Sequence, residues 1–378
     1  MAKTCADLFE GFSCTILGNP QEEVSGIAYR SDKVRPGDAF FCIVGFSVDG
    51  HSFAQDAIDR GARVLVVERK LYLADATDVV EVVVSDSRKA MAHAAASFYD
   101  NPSRAFSLVG ITGTNGKTTT TYLVEHIARC AGKKTGVIGT VGTSIGDAHE
   151  KSEHTTPESG DLQRLFARMR DAECEVVAME VSSHALDLRR TWGTRFAVTA
   201  FTNLTQDHLD YHGTMEDYRI AKGLLFRQCR RGVLNLDDEA GRWYLQHISC
   251  PAFTYSERRD EAHLTAHNLQ VYPDRVEFEA VTLDQIAHIQ LPIPGGFSIY
   301  NALAALSAGM CLGLSLGEMA PVLAGVKGVK GRVEVVPVPA PYTVIIDYAH
   351  SPNALENILV TAREFTKKRL ICVFGCGG

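Results

Sequence analysis

The sequence lacks several features that would place the chain outside the ordinary globular proteins. No apolar run approaches the length needed to span a bilayer, and the amino terminus lacks the charged-then-apolar pattern of a signal peptide. Ten cysteines are scattered without a pairing framework, which is typical of reduced thiols in the cytoplasm. A net charge of −7 argues against a nucleic-acid groove, because phosphate backbones attract positively charged surfaces. We expect a cytoplasmic protein that neither enters membranes nor binds nucleic acid.

The length and the order of strands and helices predict an α/β protein with more than one domain. At 378 residues the chain is too long for one hydrophobic core. Residues 1–104 alternate short strands and helices, which favours a small α/β domain. Residues 105–335 contain near-continuous apolar strands separated by helices, which predict a mainly parallel sheet covered on both faces.

A third segment, 336–378, has the pattern strand, helix, strand. Residues 342–347 and 369–374 predict the strands, and residues 353–365 predict the helix. The chain then stops at a glycine-rich turn, where a parallel strand calls for another helix. The expectation is that the last domain is truncated, and that this chain binds its substrates but forms little product.

The most informative stretch is the glycine-rich segment 109–120. The apolar run before it predicts a buried strand, and Leu123, Ile127 and Ala131 have the spacing of one helix face. Between strand and helix, glycines let backbone N–H groups turn inward, and a helix amino terminus favours negative charge. The loop predicts a nucleotide-phosphate site, with Lys117 on the β- and γ-phosphates and the Thr118 hydroxyl as a ligand of Mg²⁺.

The match to the general phosphate-loop pattern is incomplete. That pattern asks for a glycine five residues before Gly116, where this chain has Ile111, and Gly110 falls one place early. An ordinary glycine-rich turn between a strand and a helix is the alternative. The order of strand, glycines, Lys-Thr and helix favours nucleotide binding but does not specify the reaction.

Polar residues follow the next two strands, at the edge where ligands of parallel sheets gather. Glu180 ends one apolar run and is a natural second ligand for Mg²⁺, with a solvated strand end as the alternative. His208 and His212 have the spacing of a zinc pair on a helix, but no third ligand has a suggestive spacing. A single histidine beside Mg²⁺ is favoured over zinc.

Four other positions carry weaker signals. Thr156 before Pro157 has the pattern of a helix start. Lys222 lies on an amphipathic pattern, where a lone lysine is usually a solvated surface charge. Arg190 and Arg332 are candidates for anion contacts, although isolated arginines are common on surfaces.

Taken together, these motifs resemble those of the Mur ligases. The matching segments occur in the family's order along nearly the whole chain, at residues 113–119, 155–157, 180–184, 203–213, 331–334 and 347–352. The early glycine at position 110 is the usual form in this family. The combination is most similar to the branch that adds the third amino acid to the peptidoglycan stem peptide.

The resemblance implies three domains: one for UDP-N-acetylmuramoyl, a central ATPase, and a Rossmann-like domain that brings the amino acid. It also implies the reaction. ATP phosphorylates the D-glutamate side-chain carboxylate of UDP-N-acetylmuramoyl-L-alanyl-D-glutamate, and the amine of the amino acid attacks the acyl phosphate to give amide, ADP and phosphate. Because two anions must be held together, two Mg²⁺ ions and Lys117 offset their repulsion.

The site residues are carried over position by position. The resemblance implies that Lys117, His208 and Lys222 are catalytic, with Thr118 and Glu180 on a first Mg²⁺ and His208 and carbamylated Lys222 on a second. The residues implied to bind ATP are Gly113, Thr114, Asn115, Gly116, Lys117, Thr118, Thr119, Asn301, Arg332 and Asp347. Those implied to bind the UDP-muramoyl-dipeptide are Ser31, Phe46, Ser47, Val48, Thr155, Thr156, Ser182 and Arg190.

Two departures from the family pattern matter. The first domain has Arg30-Ser31-Asp32 where the family usually has Asp-Ser-Arg, so the serine is kept while its flanking charges are exchanged. The chain also ends before the motif that selects the diamino acid. Of the two candidates, meso-diaminopimelate is favoured over L-lysine because it is the commoner choice in the family.

Three alternative functions stay open. Folylpolyglutamate synthase shares the phosphate loop and the acyl-phosphate chemistry, but segments 182–184 and 207–213 and a full uridine-type first domain count against it. A nucleotide-binding module without turnover is the second alternative, and a GTPase switch, for which no guanine-selecting motif is recognisable, is the third. We expect a monomer whose partners are its small-molecule substrates.

Overall fold

The computed structural model describes residues 3–71, 78–349 and 352–375. It divides into two compact units. The first unit contains Met1–Ala105, Thr156–Ala172 and His184–Arg195, and the second contains Phe106–Thr155, Glu173–Ser183 and Phe196–Gly378. Two short segments from the middle of the chain thus belong to the amino-terminal unit.

The described residues form the following strands and helices, numbered in chain order. The strands are β1 (Lys3–Thr4), β2 (Thr15–Leu17), β3 (Glu23–Val24), β4 (Gly26–Ala28), β5 (Asp38–Phe41), β6 (Val64–Val67), β7 (Val80–Val83), β8 (Ser107–Thr112), β9 (Thr135–Gly139), β10 (Gly142–Ile145), β11 (Ala148–Glu150), β12 (Val176–Glu180), β13 (Phe196–Phe201), β14 (Cys229–Asn235), β15 (Ala252–Ser256), β16 (Leu264–Val271), β17 (Val276–Val281), β18 (Ile286–Leu291), β19 (Glu334–Val336) and β20 (Val344–Ile346). The α-helices are α1 (Cys5–Leu8), α2 (Ala54–Asp59), α3 (Ser87–Phe98), α4 (Lys117–Cys130), α5 (Ser159–Asp171), α6 (Ser183–Asp187), α7 (Leu209–His212), α8 (Met215–Gly223), α9 (Glu239–His247), α10 (Phe297–Cys311), α11 (Leu316–Leu323) and α12 (Pro352–Phe365). Short 3-10 helices occur at Ser31–Lys33, Gly50–Phe53, Pro102–Arg104 and Leu224–Gln228.

The first unit is built on a five-stranded sheet with the order β2-β7-β6-β5-β4. All neighbours in it are parallel except β2, which pairs antiparallel with β7. Apolar side chains such as Phe41, Val66 and Val82 are buried together with Met91 and Ala94 of α3. The predicted small α/β domain is confirmed in this sheet and its helices.

The second unit is built on an eleven-stranded sheet with the order β11-β10-β9-β12-β8-β13-β14-β15-β16-β17-β18. The seven strands from β9 to β16 are mutually parallel, and antiparallel strands extend the sheet at both ends. Strand β12 is buried along its whole length, as expected when helices cover a parallel sheet. The predicted mainly parallel sheet is confirmed. Within the described ranges, no helix has both the length and the apolar character that a bilayer crossing requires.

Two parts of the sheet pattern differ from the expectation. Residues 369–374, predicted as a strand, form none, and Ile371, Val373 and Phe374 are exposed. None of the described strands pairs with this segment, and an apolar run without a pairing partner leaves its backbone groups to water. Conversely, the antiparallel strands β16–β18 were not anticipated, although β17 alternates buried and half-buried residues in the manner of a strand with one covered face.

Candidate active site

The glycine-rich loop joins β8 to α4 at the carboxyl edge of the large sheet. Gly113 and Gly116 have φ angles of 149° and 84°, a region that favours glycine. A Cβ atom at Gly113 would collide with the Thr202 hydroxyl, and one at Gly116 would collide with the Asn301 side chain. Both glycines are therefore required by backbone conformation and by space.

The segment that follows β13 holds this loop in place. Thr114 N–H donates to the Asn203 carbonyl at 2.8 Å, and Asn115 N–H donates to the Asn203 side-chain oxygen at 2.9 Å. Thr205 N–H donates to the Thr114 hydroxyl at 3.0 Å. The rule that ligands gather at the carboxyl ends of parallel strands singles out the segment from Asn203 to His208 in the sequence, although it gives no individual role to Asn203 or Thr205.

Lys117, the first residue of α4, folds back over the loop. Its Nζ donates to the carbonyls of Gly113 at 3.0 Å and Thr114 at 2.9 Å. Burial lowers the pKa of Lys117, Glu180 opposes that effect, and the charge of Arg332 adds to it. The positive charge of this lysine is thus directed at the loop and away from bulk water.

Lys222 on α8 reaches the same carbonyl from the other side. Its Nζ donates to the Gly113 oxygen at 2.9 Å and lies 4.4 Å from the centre of the Tyr218 ring. The residue is 1% exposed, so the interpretation of a solvated surface lysine is wrong. Burial is the main cause that holds the pKa of Lys222 well below its usual value, and the charge of Lys117 is the second. The charge of Lys117 acts in this direction because two ammonium groups on one acceptor repel each other.

Glu180 ends β12 next to β8, and its carboxylate is buried among hydroxyl and N–H donors. Thr118 Oγ1 donates to Glu180 Oε2 at 2.9 Å, and Thr140 donates through its N–H at 2.8 Å and its hydroxyl at 3.2 Å. Thr155 Oγ1 lies 3.0 Å from Thr140 Oγ1 and extends this chain of polar groups. The role of Thr140, which follows β9 directly, was missed at the level of the sequence.

The two histidines make different contacts. His208, in a left-handed conformation just before α7, is exposed, and its Nε2 lies 3.5 Å from Asp207. Desolvation lowers the pKa of His208, Asp207 opposes this, and the charges of Lys117 and Lys222 lower it further. His212 Nε2 instead lies 2.9 Å from Ser183 Oγ. Across the described part of the chain, no three His, Cys, Asp or Glu side chains form a cluster that could hold a metal.

Three residues from the carboxyl-terminal part of the second unit complete this edge. Asn301 on α10 is buried against the loop, with its Oδ1 3.4 Å from Thr120 Oγ1.

Asp347 accepts from the N–H groups of Val333 at 2.9 Å and Ala349 at 2.8 Å, so that it fixes the turn that carries Arg332. His350 and Ser351 of the same motif lie outside the described residues.

Thr119 and Ser182 also lie in the second unit. Thr119 is buried in the first turn of α4, and Ser182 follows β12 two positions after Glu180. The structure therefore brings together at one sheet edge the predicted ATP-contacting and metal-contacting residues, along with Thr155 and Ser182.

The remaining predicted substrate residues belong to the first unit. The turn Phe46-Ser47-Val48 is closed by a hydrogen bond from Gly45 N–H to the Val48 carbonyl at 2.9 Å, and residue Phe46 is 78% exposed. Ser31 begins a 3-10 helix between Arg30 and Asp32, whose side chains form a 3.0 Å ion pair. The two exchanged charges therefore pair with each other across the serine in this chain.

Arg190 and Thr156 contact each other within the first unit. Arg190 Nη1 donates to the Thr156 carbonyl at 2.9 Å, and Nη2 lies 2.7 Å from Glu158 Oε1. Arg88 lies 3.6 Å from the same carboxylate group. The Glu158 carboxylate thus holds two arginines, a pairing that no sequence spacing indicated.

Comparison with known proteins places these features in a family. Residues 111–309 match the Mur ligase middle domain, residues 23–104 match the Mur ligase family catalytic domain, and residues 331–378 match the Mur ligase glutamate ligase domain. The UDP-N-acetylmuramoyl-L-alanyl-D-glutamate--2,6-diaminopimelate ligase of Geobacillus thermodenitrificans is 47% identical over 100% of this chain and 77% of its own length. The ligase of the same name from Clostridium botulinum is 44% identical over 98% of this chain and 77% of its own length.

Solved structures agree with the sequence relatives. A structure of a UDP-N-acetylmuramoyl-L-alanyl-D-glutamate--2,6-diaminopimelate ligase, 27% identical, superposes with a TM-score of 0.84 over 100% of this chain and 77% of its own. Mycobacterium tuberculosis folylpolyglutamate synthase complexed with ADP, 19% identical, has a TM-score of 0.61 over 72% of this chain and 68% of its own, which shows a shared fold alone. The chain belongs to the Mur ligase family.

Proposed function

We propose that this chain joins 2,6-diaminopimelate to UDP-N-acetylmuramoyl-L-alanyl-D-glutamate in an ATP-dependent reaction of peptidoglycan synthesis. The observation that carries the proposal is the pair of lysines, half-buried Lys117 and fully buried Lys222, that donate to one carbonyl of the glycine-rich loop beside the buried carboxylate of Glu180. Cationic groups and helix N–H groups at one place favour a substrate with several negative charges. A nucleoside triphosphate and a carboxylate meet that description.

The reaction transfers a phosphoryl group and then an acyl group. The γ-phosphoryl group passes from ATP to a side-chain carboxylate oxygen of D-glutamate, and ADP leaves. The amine of diaminopimelate then attacks the acyl carbon, and phosphate leaves as the amide forms. The loop N–H groups and Lys117 hold the phosphates in position, which is the main contribution a protein makes to phosphoryl transfer.

The residues at the loop fit Mg²⁺. Thr118 and Glu180 present hydroxyl and carboxylate oxygens, the hard donors that Mg²⁺ prefers, and both are buried. These two residues would hold a first ion, and His208 with a carbamate on Lys222 would hold a second. Such ions neutralise charge on phosphate and carboxylate oxygens when bound. Thr140 and Thr155 keep the Glu180 carboxylate oriented toward Thr118.

The surroundings of Lys222 also fit a carbamate. Carbon dioxide reacts with a neutral amine, and burial beside Lys117 favours the neutral form of Lys222. A carbamate would place a negative charge beside the Lys117 ammonium group, in place of an amine whose protonated form that group repels. We expect a ¹³C-labelled carbamate signal in wild-type protein exposed to labelled bicarbonate, and its absence from Lys222→Ala together with loss of ligation. The carbamate proposal would be contradicted if wild-type protein exposed to labelled bicarbonate gave no such signal, or if the Lys222→Ala variant were fully active.

The substrate contacts and domain limits are extensions of the same proposal. We infer that Ser31, Phe46, Ser47, Val48, Thr156 and Arg190 in the first unit, and Thr155 and Ser182 in the second, contact the UDP-muramoyl-dipeptide. Asn301, Arg332 and Asp347 contact the adenosine part of ATP. The functional divisions lie at residues 1–104, 105–335 and 336–378, and the protein acts as a monomer, which sedimentation analysis tests.

Trapping of the acyl phosphate tests the proposed function. The full chain is incubated with ATP, Mg²⁺ and UDP-N-acetylmuramoyl-L-alanyl-D-glutamate, and hydroxylamine is added to capture an acyl phosphate as a hydroxamate. We expect hydroxamate only when all three components are present. Replacement of hydroxylamine by diaminopimelate should give the amide, with less product from L-lysine. ADP release that depends on a folate-type acceptor, and not on the muramoyl-dipeptide, would overturn the proposal.

A further inference from the structure

Two cysteines meet in the second unit, at the edge of the sheet opposite the glycine-rich loop. Cys229 begins β14, and Cys250 lies just before Pro251 and β15. Their Sγ atoms are 3.3 Å apart, and both side chains are partly exposed. No other two of the described cysteines have a recorded contact between their sulfur atoms.

The backbone on both sides of the pair is fixed by sheet hydrogen bonds. Strands β14 and β15 are parallel neighbours with Gly232 opposite Ala252, and Gly232 N–H donates to the Pro251 carbonyl at 2.9 Å. A disulfide bond is about 2.05 Å long, so the sulfurs must approach by little more than an ångström, which side-chain rotation can supply. We propose that Cys229 and Cys250 form a reversible intramolecular disulfide and constitute a redox-modification site of this protein.

The two thiols differ in pKa, and this difference determines which of them reacts first. The Cys229 thiol donates a hydrogen bond to Cys250 Sγ, and this bond is the main cause that lowers the pKa of Cys250 to about 7. The same bond, together with burial, raises the pKa of Cys229. Because the thiolate is the nucleophile, Cys250 attacks first and Cys229 resolves.

The step balances with a disulfide oxidant such as oxidised glutathione. The Cys250 thiolate attacks one glutathione sulfur, the glutathione S–S bond breaks, and the first reduced glutathione leaves. Cys229 then loses its proton and attacks Cys250 Sγ in the mixed disulfide, and the second reduced glutathione leaves. The protein loses two hydrogen atoms, and the glutathione disulfide gains them.

The pair is connected to the segment that carries Lys222. The 3-10 helix Leu224–Gln228 joins the end of α8 directly to Cys229. Both cysteines pack against the apolar cluster that contains Phe226 and Tyr244, and the Tyr244 hydroxyl donates to the Arg219 carbonyl of α8 at 2.6 Å. We expect the disulfide to slow amide hydrogen exchange in Leu224–Gln228.

Thiol mapping by mass spectrometry tests the site. The folded protein is treated with oxidised glutathione, free thiols are alkylated, and the cysteine peptides are identified with and without reductant. We expect two fewer alkylated thiols than the ten of the reduced chain and a linked peptide pair that contains Cys229 and Cys250. Cys229→Ser should accumulate glutathione on Cys250, whereas Cys250→Ser should lose both the linked pair and that adduct.

Cys130→Ser is the matched control, because Cys130 is exposed on α4 and should not affect the linked pair. Full alkylation of Cys229 and Cys250 after oxidation would overturn the proposal. Preferential oxidation of Cys130, or a disulfide that joins two protein chains, would overturn it as well.

Discussion

Helices α3 and α4 both follow a strand of a mostly parallel sheet, yet carboxylates cap the amino terminus of α3 and not that of α4. At the start of α3, the Asp86 carboxylate accepts from Lys89 N–H at 2.9 Å, and the Glu68 carboxylate accepts from Ser87 N–H at 2.8 Å. At the start of α4, Gly116 is the N-cap residue, and no side chain in the described ranges caps it. The first residue of α4 is Lys117, a cation.

This difference indicates which feature allows the connection between a strand and a helix to bind phosphate. A helix amino terminus attracts negative charge wherever it occurs. In the first unit the protein supplies that charge with its own carboxylates, so the terminus is satisfied without a ligand. In the second unit no carboxylate caps the first turn of α4 within the described residues, and Lys117 places a positive charge there. The absence of a carboxylate at the cap is therefore as informative as the glycines.

The largest expected effect comes from removing the lysine of the uncapped helix. Lys117→Met should lower the rate of ADP formation by about 10³-fold or more, because a cation aimed at developing phosphoryl charge is lost. The matched control is Lys89→Met in the first turn of α3, where the amine lies 5.0 Å from the Trp192 ring. Steady-state rates of both variants check this. Lys117→Met with more than about a tenth of the wild-type rate would contradict the comparison.

A second variant gives α4 the carboxylate that α3 already has. Asn115→Asp places a negative charge beside the loop N–H groups with almost no change of shape, so it should compete with the phosphates. We expect ATP affinity to fall about 10-fold to 100-fold, and less so in high salt. Asn115→Ala is the control, since it removes the 3.4 Å contact with Thr205 without adding charge. Equal loss in both variants would assign the effect to the contact and not to charge.

Local patterns predicted much of this architecture because they depend on neighbouring residues. The buried strands, the glycine-rich loop and Glu180 at a strand end follow from apolar runs and from the rule that parallel strands end at one edge. Thr118 and Glu180, 62 positions apart, are indeed hydrogen-bonded. That contact follows from β8 and β12 being adjacent parallel strands.

Contacts between distant segments could not be predicted in this way. The amphipathic pattern of α8 does not indicate that Lys222 meets Gly113, 109 positions away, and buries its amine there. The grouping of α5 with the first unit likewise rests on contacts such as the 2.7 Å bond from Tyr29 to Asp161, 132 positions apart. Residues 369–374 show the converse, because strand propensity does not provide a partner strand.

The burial of Lys222 should affect the free energy of unfolding as well as the activity. Its folded pKa lies below the usual 10.5, so the unfolded chain binds more protons between those two values. Stability therefore rises with pH across that window, and the cost of burial is greatest at and below the folded pKa. Each tenfold loss of proton affinity corresponds to about 1.4 kcal/mol.

We therefore expect Lys222→Met to unfold at higher denaturant concentration than wild type, by on the order of 1–3 kcal/mol near neutral pH. The gain should shrink as pH rises toward 10.5. Unfolding is measured in carbon-dioxide-free buffer without Mg²⁺, so that no carbamate or metal contributes. Lys89→Met again serves as the control, with little change at any pH. A Lys222→Met variant that is less stable than wild type near neutral pH would show that the buried amine is better satisfied than the comparison implies.

The smallest expected effect lies at the capped helix. Asp86→Ala removes the side-chain cap of α3 and should destabilise the first unit by about 1 kcal/mol, whereas Asp86→Asn, which keeps an accepting oxygen, should cost less. The chain has two tryptophans, so the fluorescence of Trp192 in a Trp243→Phe background follows the first unit by itself. ATP affinity should be unchanged in both variants. If Asp86→Ala weakened ATP binding as Asn115→Asp does, the capped terminus would be part of the nucleotide site, and the two helix starts would not differ in function.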